Sequence, residues 1–406
     1  MTTAFWLTNA LLETGYQTFQ GRITGTATDL FNLLIEDGKV SQVVPAADSL
    51  TDDLPQTDAG GLLLIPSFIE KHCHLDKTLL GDQWRSVTLV DSIFERFDIE
   101  KNVLSSLETT TQTRAEKLLN CYASSGVTHV RSHVDIYPEA GLTNLEEVQK
   151  ALETYEGQLS SELVAFPQHG LLRSGAQDLV RDALRNGADY VGGVDPAMVD
   201  GDIETSLQTT VELAATENAG IDLHLHDAGH LGIFTMQRLA QLTKEAGLQG
   251  NVSVSHAFGL GDIPVSQAAE MAEQLQEAGI AIISNVPIDG RFPPLPLLAG
   301  RGVNVALGCD NIFDVWSPFG NGDVLERANR LAEVSQWVDE RSLSQTLSFI
   351  TGGKTPLNEA GEQVWPHIGD EASFTFADAT CSAEVVARRR ERLVTMFQGN
   401  VISGSF

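Results

Sequence analysis

Two histidines one residue apart, His72 and His74, close the apolar stretch from Leu62 to Thr78, LLLIPSFIEKHCHLDKT. Side chains on an extended strand alternate faces with a period of two, so both imidazoles project from the same side. Such a pair at the carboxyl end of a strand supplies half of a metal site; two solvent-facing histidines are the competing reading. Other short β-like runs end on residues of the same kinds: His133 and Asp135, Gln168, Asp195, His224 and His226, His256, then Asp310 and Asn311. Eight of the ten histidines lie at or just beyond such ends, His129 and His367 being the exceptions. One of the pair His224 and His226 can join His72 and His74 on an ion, and Asp310 can supply an anionic fourth ligand. For Asp310 the competing role is a helix N-cap. Three imidazoles and a carboxylate suit Zn²⁺, Fe²⁺ or Mn²⁺. A catalytic ion of this kind keeps a position for water and lowers its pKa toward neutrality, which yields a hydroxide able to attack an electron-poor carbon. His256 ends the run VSVSH, where it can orient that water or donate to the attacked group; a satisfied core histidine is the alternative.

Convergence of these distant residues requires a particular scaffold. Eight β-like runs, 62–72, 127–136, 162–170, 189–196, 220–227, 251–258, 280–288 and 303–311, alternate with amphipathic stretches. Leu145, Val148, Leu152 and Tyr155 before Gly157, and Ile203, Leu207 and Val211 before Gly220, recur every three to four positions and end at a glycine, the pattern of helices with a C-terminal stop. Strands alternating with helices imply a parallel sheet, and eight of them an α/β fold of the (β/α)₈ TIM barrel type, at whose carboxyl face all strand ends meet. A doubly wound open sheet would scatter the polar ends instead. The first 60 residues read as β structure with an Asp37-Gly38 hairpin turn, and the last stretch, including DEASFTFADAT and VVARRRERLVTMFQGNVIS, reads as β again. The expected division is a small β-sandwich domain built from 1–60 and 362–406 beside a barrel over 61–361.

Composition narrows the partners. The net charge of −29, from 26 Lys+Arg against 55 Asp+Glu, leaves no basic footprint for nucleic acid or an anionic membrane. No apolar run approaches the ~20 residues of a membrane span, and no basic segment followed by an apolar one opens the chain, so a cytoplasmic location is expected. Cys73, Cys121, Cys309 and Cys381 are far apart and form neither a disulfide framework nor a CxxC zinc pair.

The ordered set HCH, HLH, VSH and GCDN, together with IPSFIEKHCHLDK, VRSHVD, VAFPQHG, VGGVDPA and DVWSPFGNGD, resembles the amidohydrolase superfamily and is most similar to its cytosine deaminase-like branch. VGGVDPA, HLHD and DVWSPFGNGD look most like the isopropylammelide-type members, which remove an alkylamine from a triazine ring. The resemblance implies that His72, His74, His224 and Asp310 hold one divalent ion, Zn²⁺ before Fe²⁺ or Mn²⁺. Dinuclear members carry a bridging lysine at a strand end, where this chain has Gln168 and Asp195, so a single ion is implied. Gln168 resembles the glutamine that binds the ring edge, and Trp316 the aromatic wall of the pocket, with Asp195 and Asn311 on the substrate side. Cytosine deaminases place a glutamate three residues after the fifth-strand histidine; here Asp227 stands in that place with His226 beside it, which puts cytosine itself in doubt. The isopropylammelide-type pattern has histidine and aspartate there and a lysine matching Lys77, so His226, Asp227 and Lys77 are implied in substrate contact and proton transfer, and Asp310 and His256 in relaying the water's proton. The implied reaction is hydrolytic removal of an amino or alkylamino group from a nitrogen heteroaromatic ring by metal-bound hydroxide. Rival readings are an amidase or cyclic-amide hydrolase on the same barrel and a catalytically silent binding barrel. The zinc deaminases of nucleic-acid bases use HxE plus PCxxC, which is absent here. The expected partners are a small heterocyclic substrate and further copies of the chain in a homo-oligomer.

Overall fold

The computed structural model describes residues 4–50 and 53–406. Eight parallel strands follow one another both in sequence and in space: Phe68–Cys73, Val127–Asp135, Ser160–Phe166, Tyr190–Val194, Gly220–His224, Val252–Ser255, Ile280–Ser284 and Val305–Leu307. Helices such as Thr143–Glu153, Ile203–Glu217 and Gly229–Ala246 return the chain between them. In Thr143–Glu153 the positions Leu145, Val148 and Ala151 are buried, the three-to-four spacing that packs one face on the sheet. The helix Ile203–Glu217 starts on Asp202, whose carboxylate accepts the Thr205 N–H, and ends on left-handed Asn218 ahead of Gly220.

The barrel is closed between its first and eighth strands by a short seam. The Asp310 N–H donates to the His72 carbonyl at 2.7 Å, and Cys73 bridges Asp310 in parallel. Fully buried Glu70 stitches the same seam by accepting the N–H groups of His72 at 3.0 Å and Cys309 at 2.9 Å. Gly308 makes room for it, since a Cβ there would stand 2.6 Å from Glu70 Oε1 and 2.5 Å from the His72 nitrogen. Metal-ligand candidates from opposite ends of the barrel sequence are thereby fixed to one another through the backbone.

The apolar run that opens on Leu62 divides at Ser67 instead of forming one strand. Leu63–Pro66 pairs antiparallel with Phe374–Ala377, whereas Phe68 donates to the Gly126 carbonyl and begins the barrel. Pro66 has no N–H to continue a ladder, so the change of partner falls immediately after it. The strands Ala4–Phe19, Arg22–Glu36, Lys39–Pro45, Gln56–Asp58, Leu63–Pro66, Phe374–Ala377, Arg392–Phe397 and Asn400–Gly404 make one mixed sheet from both ends of the chain. Its hairpin at Asp37 and Gly38 has both residues at positive φ, 49° and 75°, as a two-residue primed turn requires. Part of the C-terminal stretch that reads as β is the helix Ser382–Arg388, whose Val385 and Val386 are buried against the barrel's apolar core. Short apolar runs do not distinguish a buried helix from a strand.

Between the first and second barrel strands the chain inserts an additional helix, Ile93–Ser105, ahead of the helix Thr111–Ser124. Ser92 caps it by accepting the Glu95 N–H. Its buried residues Arg96, Phe97 and Glu100 share one side, spaced as a helix face that lies on the barrel mouth. Among the described residues no helix is long and apolar enough to cross a membrane.

Candidate active site

The strand ends bring five candidate ligands together. His72 Nε2 and His74 Nε2 lie 3.4 and 3.3 Å from Asp310 Oδ1. The His224 ring centre is 4.6 Å from that of His72 and 5.4 Å from that of His74, and His133, from the second strand, sits 4.2 Å from His72 and 4.4 Å from His224. Two triads therefore share His72: His72, His74 and Asp310 form one, and His72, His133 and His224 the other, with ligand atoms within 4.8 Å of one another in each. All four imidazoles are buried, and His72 Nε2, His74 Nδ1 and both nitrogens of His133 and His224 have no hydrogen-bond partner. Burial depresses His74 to about 4 and carries His133 and His224 well below the ordinary histidine range, with neighbouring imidazoles adding to it. Burial alone would raise Asp310, but His72 and His74 hold it well below the usual carboxylate range. Imidazoles with partnerless nitrogens gathered around a carboxylate are the donor set a divalent cation takes, so the residues fit such an ion.

The tautomer of one donor follows from hydrogen-bond counting. Ser255 Oγ donates to Asp222 Oδ1 at 2.7 Å, and Asp222 Oδ2 accepts from Arg131 at 2.9 Å. The serine has a single proton and has given it to Asp222, so its 2.8 Å contact with His72 is accepted from the Nδ1–H. His72 Nε2 is then left with its lone pair toward Asp310, the arrangement in which the partners of a ligand orient it. Replacing Ser255 with alanine is expected to weaken zinc binding about 10- to 100-fold, read by competition with a chromogenic chelator; unchanged affinity would remove this relay from the site.

Backbone strain concentrates at the same level. Asp195, His256 and Asp310 sit at φ of 38°, 72° and 61°, left-handed conformations that cost non-glycine residues roughly 1–3 kcal/mol each. Each lies just beyond the carboxyl end of a barrel strand, in the turn that leads off the sheet. Gly192 serves the layer beneath, because a Cβ there would meet the Phe166 Cα at 2.9 Å. The Phe166 ring instead stacks on His224 at 4.1 Å and 15°.

A narrow pocket opens beside the imidazoles. It is lined by His74, His224, His226, His256 and Asp310, by Ile93, Phe97, Phe166, Val194 and Trp316, and by Gln168 and Asn311. Asp195 accepts the His226 N–H with one oxygen and pairs with His226 Nδ1 at 2.9 Å with the other, so it orients the imidazole and does not line the pocket. Asp227 is buried beside them, pushed up to about 6 by burial and by Asp195, and is likewise not among the lining residues. His256 stacks on His226 at 4.4 Å, and burial drives it well below the histidine range. Asn311 donates to Asp314, which also accepts the Trp316 and Ser317 N–H groups and so shapes the loop that presents the indole.

Lys77 lies behind the lining, almost completely buried. Its ammonium donates to Gln168 Oε1 and pairs with Asp135 at 2.9 Å and Glu100 at 3.6 Å. Burial pulls its pKa down, but Asp135, Glu100 and Asp76 outweigh that and hold it above the ordinary lysine range. Glu100, from the inserted helix, accepts the Gln168 amide and the Trp316 indole N–H, each at 2.5 Å. Sequence reasoning did not single out Glu100, Ser255, Asp222, Asn285 or Arg131. Asn285 donates to Asp310 Oδ2 at 2.8 Å and directly follows the seventh strand, and Ser255 ends the sixth, so these two have a positional signal. His133 was visible as a strand end but carried no assigned role.

A barrel whose carboxyl face gathers imidazoles, an aspartate and an aromatic pocket defines the class of metal-dependent (β/α)₈ hydrolases. The amidohydrolase family model matches residues 95–403. The chain is 41% identical over 406 residues to the uncharacterized protein YahJ of Escherichia coli, spanning 99% of this chain and 88% of that one. The crystal structure of N-isopropylammelide isopropylaminohydrolase from Burkholderia multivorans superposes with a TM-score of 0.87 at 28% identity, covering 99% of both chains. That of 5-methylcytosine deaminase from Klebsiella pneumoniae, liganded with 5-fluorocytosine, gives 0.80 at 25% identity over 99% of this chain and 98% of that one. The chain belongs to the amidohydrolase family, in its cytosine deaminase-like branch, and is a hydrolase of carbon–nitrogen bonds other than peptide bonds.

Proposed function

We propose that this chain hydrolytically removes an amino or alkylamino group from a nitrogen heteroaromatic ring, using one divalent cation, preferentially Zn²⁺, held by His72, His74, His224 and Asp310. The observation that carries the reading is the meeting of buried, partnerless imidazole nitrogens with a carboxylate beside a pocket walled by Phe97, Phe166 and Trp316. The names of the two solved relatives agree with it in reaction and in ring type. A cation there would supply a water of lowered pKa as the nucleophile. In the reaction a carbon–oxygen bond forms at the ring carbon, the exocyclic carbon–nitrogen bond breaks, and the amine leaves with a proton taken from water. Asp310, whose Oδ2 is held by Asn285, accepts the water's proton. From Asp310 the same proton passes through His256 and the His226 ring stacked on it, which Asp195 holds at Nδ1, to the departing nitrogen. Gln168, Asn311 and the Trp316 face hold the ring, with Lys77 and Asp227 supporting from behind.

Dialysis against a chelator is expected to lower amine release from aminopyrimidines or aminotriazines by at least about 100-fold, and one equivalent of Zn²⁺, Fe²⁺ or Mn²⁺ to restore it. A metal-loaded protein that releases no amine from either group, yet opens hydantoins or cyclic imides, would replace this reading with the cyclic-amide one.

A further inference from the structure

The side chain of Gln168 can form four hydrogen bonds: two donated from Nε2 and two accepted at Oε1. Three are consumed inside the protein. Nε2 donates to Glu100 Oε1 at 2.5 Å and to Asp135 Oδ2 at 3.3 Å, while Oε1 accepts from the Lys77 ammonium. The orientation of the amide is dictated by its neighbours, since an ammonium only donates and carboxylates only accept. Turning the amide over would set its NH₂ against Lys77 and its oxygen against two carboxylates. Of these four residues only Gln168 lines the pocket.

We infer that Glu100, with Asp135 and Lys77, fixes Gln168 as an acceptor toward the ligand, so that the pocket selects heterocycles presenting a ring N–H or amino donor at that edge. Glu100 is thus a specificity-determining residue that reaches the ligand through Gln168 and not by contact. It also occupies the Trp316 N–H, which leaves the indole to offer its face alone. That wall and Phe166 favour a planar ring, and the amide discriminates among planar rings by the polarity of one edge. A lactam or aminoheterocycle in its N–H form satisfies the open lone pair. An N-alkylated ring, or one with a pyridine-type nitrogen there, sets acceptor against acceptor.

This inference rests on the heterocycle reading of the same pocket, and the test separates the two. Uracil and 1,3-dimethyluracil share their carbonyls, but only uracil has N–H donors. Their dissociation constants are measured by titration calorimetry on zinc-loaded wild-type protein and on Glu100→Gln and Gln168→Met. Wild type is expected to prefer uracil by about tenfold or more, the value of one hydrogen bond with its desolvation cost. In E100Q an NH₂ replaces one carboxylate oxygen and the charge that holds the Gln168 amide is lost, so the amide is no longer fixed as an acceptor; in Q168M the acceptor is gone. Both variants should lose about tenfold of the preference, and because the methyl bulk is the same throughout, the change in ratio reports polarity alone. Should E100Q not fold, Q168M carries the same comparison. Binding with an unchanged ratio overturns the inference and leaves the heterocycle reading standing. Failure of both probes to bind zinc-loaded wild type overturns both.

Discussion

Asp310→Ala is expected to lower amine release about 10⁴-fold, the upper range for loss of a proton-transfer group, and to strip the ion as well. Asp310 is the only anion among the candidate ligands, its Oδ1 standing within 3.4 Å of two imidazole nitrogens. Without it the cation would be held by neutral donors alone, and the water's proton would have no acceptor at that point. Asp310→Asn separates these roles. The amide keeps the shape and removes the charge, so metal content should fall less than activity. Metal per chain by atomic absorption and amine release by a coupled assay give the two readings. Turnover within tenfold of wild type in metal-replete D310A protein would refute the assignment of Asp310 as ligand and base.

The second large effect is on stability. The Lys77 ammonium is paired with Glu100 and Asp135 and has Asp76 beside it, all four residues being buried. Replacing it with methionine preserves volume but leaves carboxylates facing one another in a medium of low dielectric. Removal of one partner from a buried pair costs about 3–5 kcal/mol, and K77M should be destabilised by that amount in urea denaturation of metal-loaded protein. Lys77→Arg does not rescue it, because a planar guanidinium cannot occupy the site of a compact ammonium. A midpoint shift equivalent to less than about 1 kcal/mol, the range of an exposed pair, would mean that the carboxylates are not charged together around this lysine.

Much of this architecture is legible before any coordinates. The rhythm of apolar runs and helical stretches announces the barrel, because burying both faces of a parallel strand demands apolar side chains and only its end is free to be polar. His72, His74, His224, His256 and Asp310 stand out for that reason. The break at Ser67 is not legible, since Leu63 to Cys73 is apolar enough for one strand and the change of sheet depends on which neighbour each half finds. The helix at Ser382 is hidden by the same ambiguity of short apolar runs.

Glu100 lies further out of reach. Nothing local in IFERFDIEKN distinguishes it from Asp98, whose side chain is 75% exposed. Ser255 and Asp222 look like ordinary strand residues until the barrel turns them beneath His72. Strand periodicity alone decides which residues reach the mouth of the barrel, as alternation and chain direction are local properties. Which of them are donors, which are acceptors and which are already spent is settled largely by partners distant in the chain, because hydrogen-bond capacity is divided among whatever the fold brings into reach. For Gln168 that division was made by Lys77, Glu100 and Asp135, and it is the closed barrel with its inserted helix that put them there.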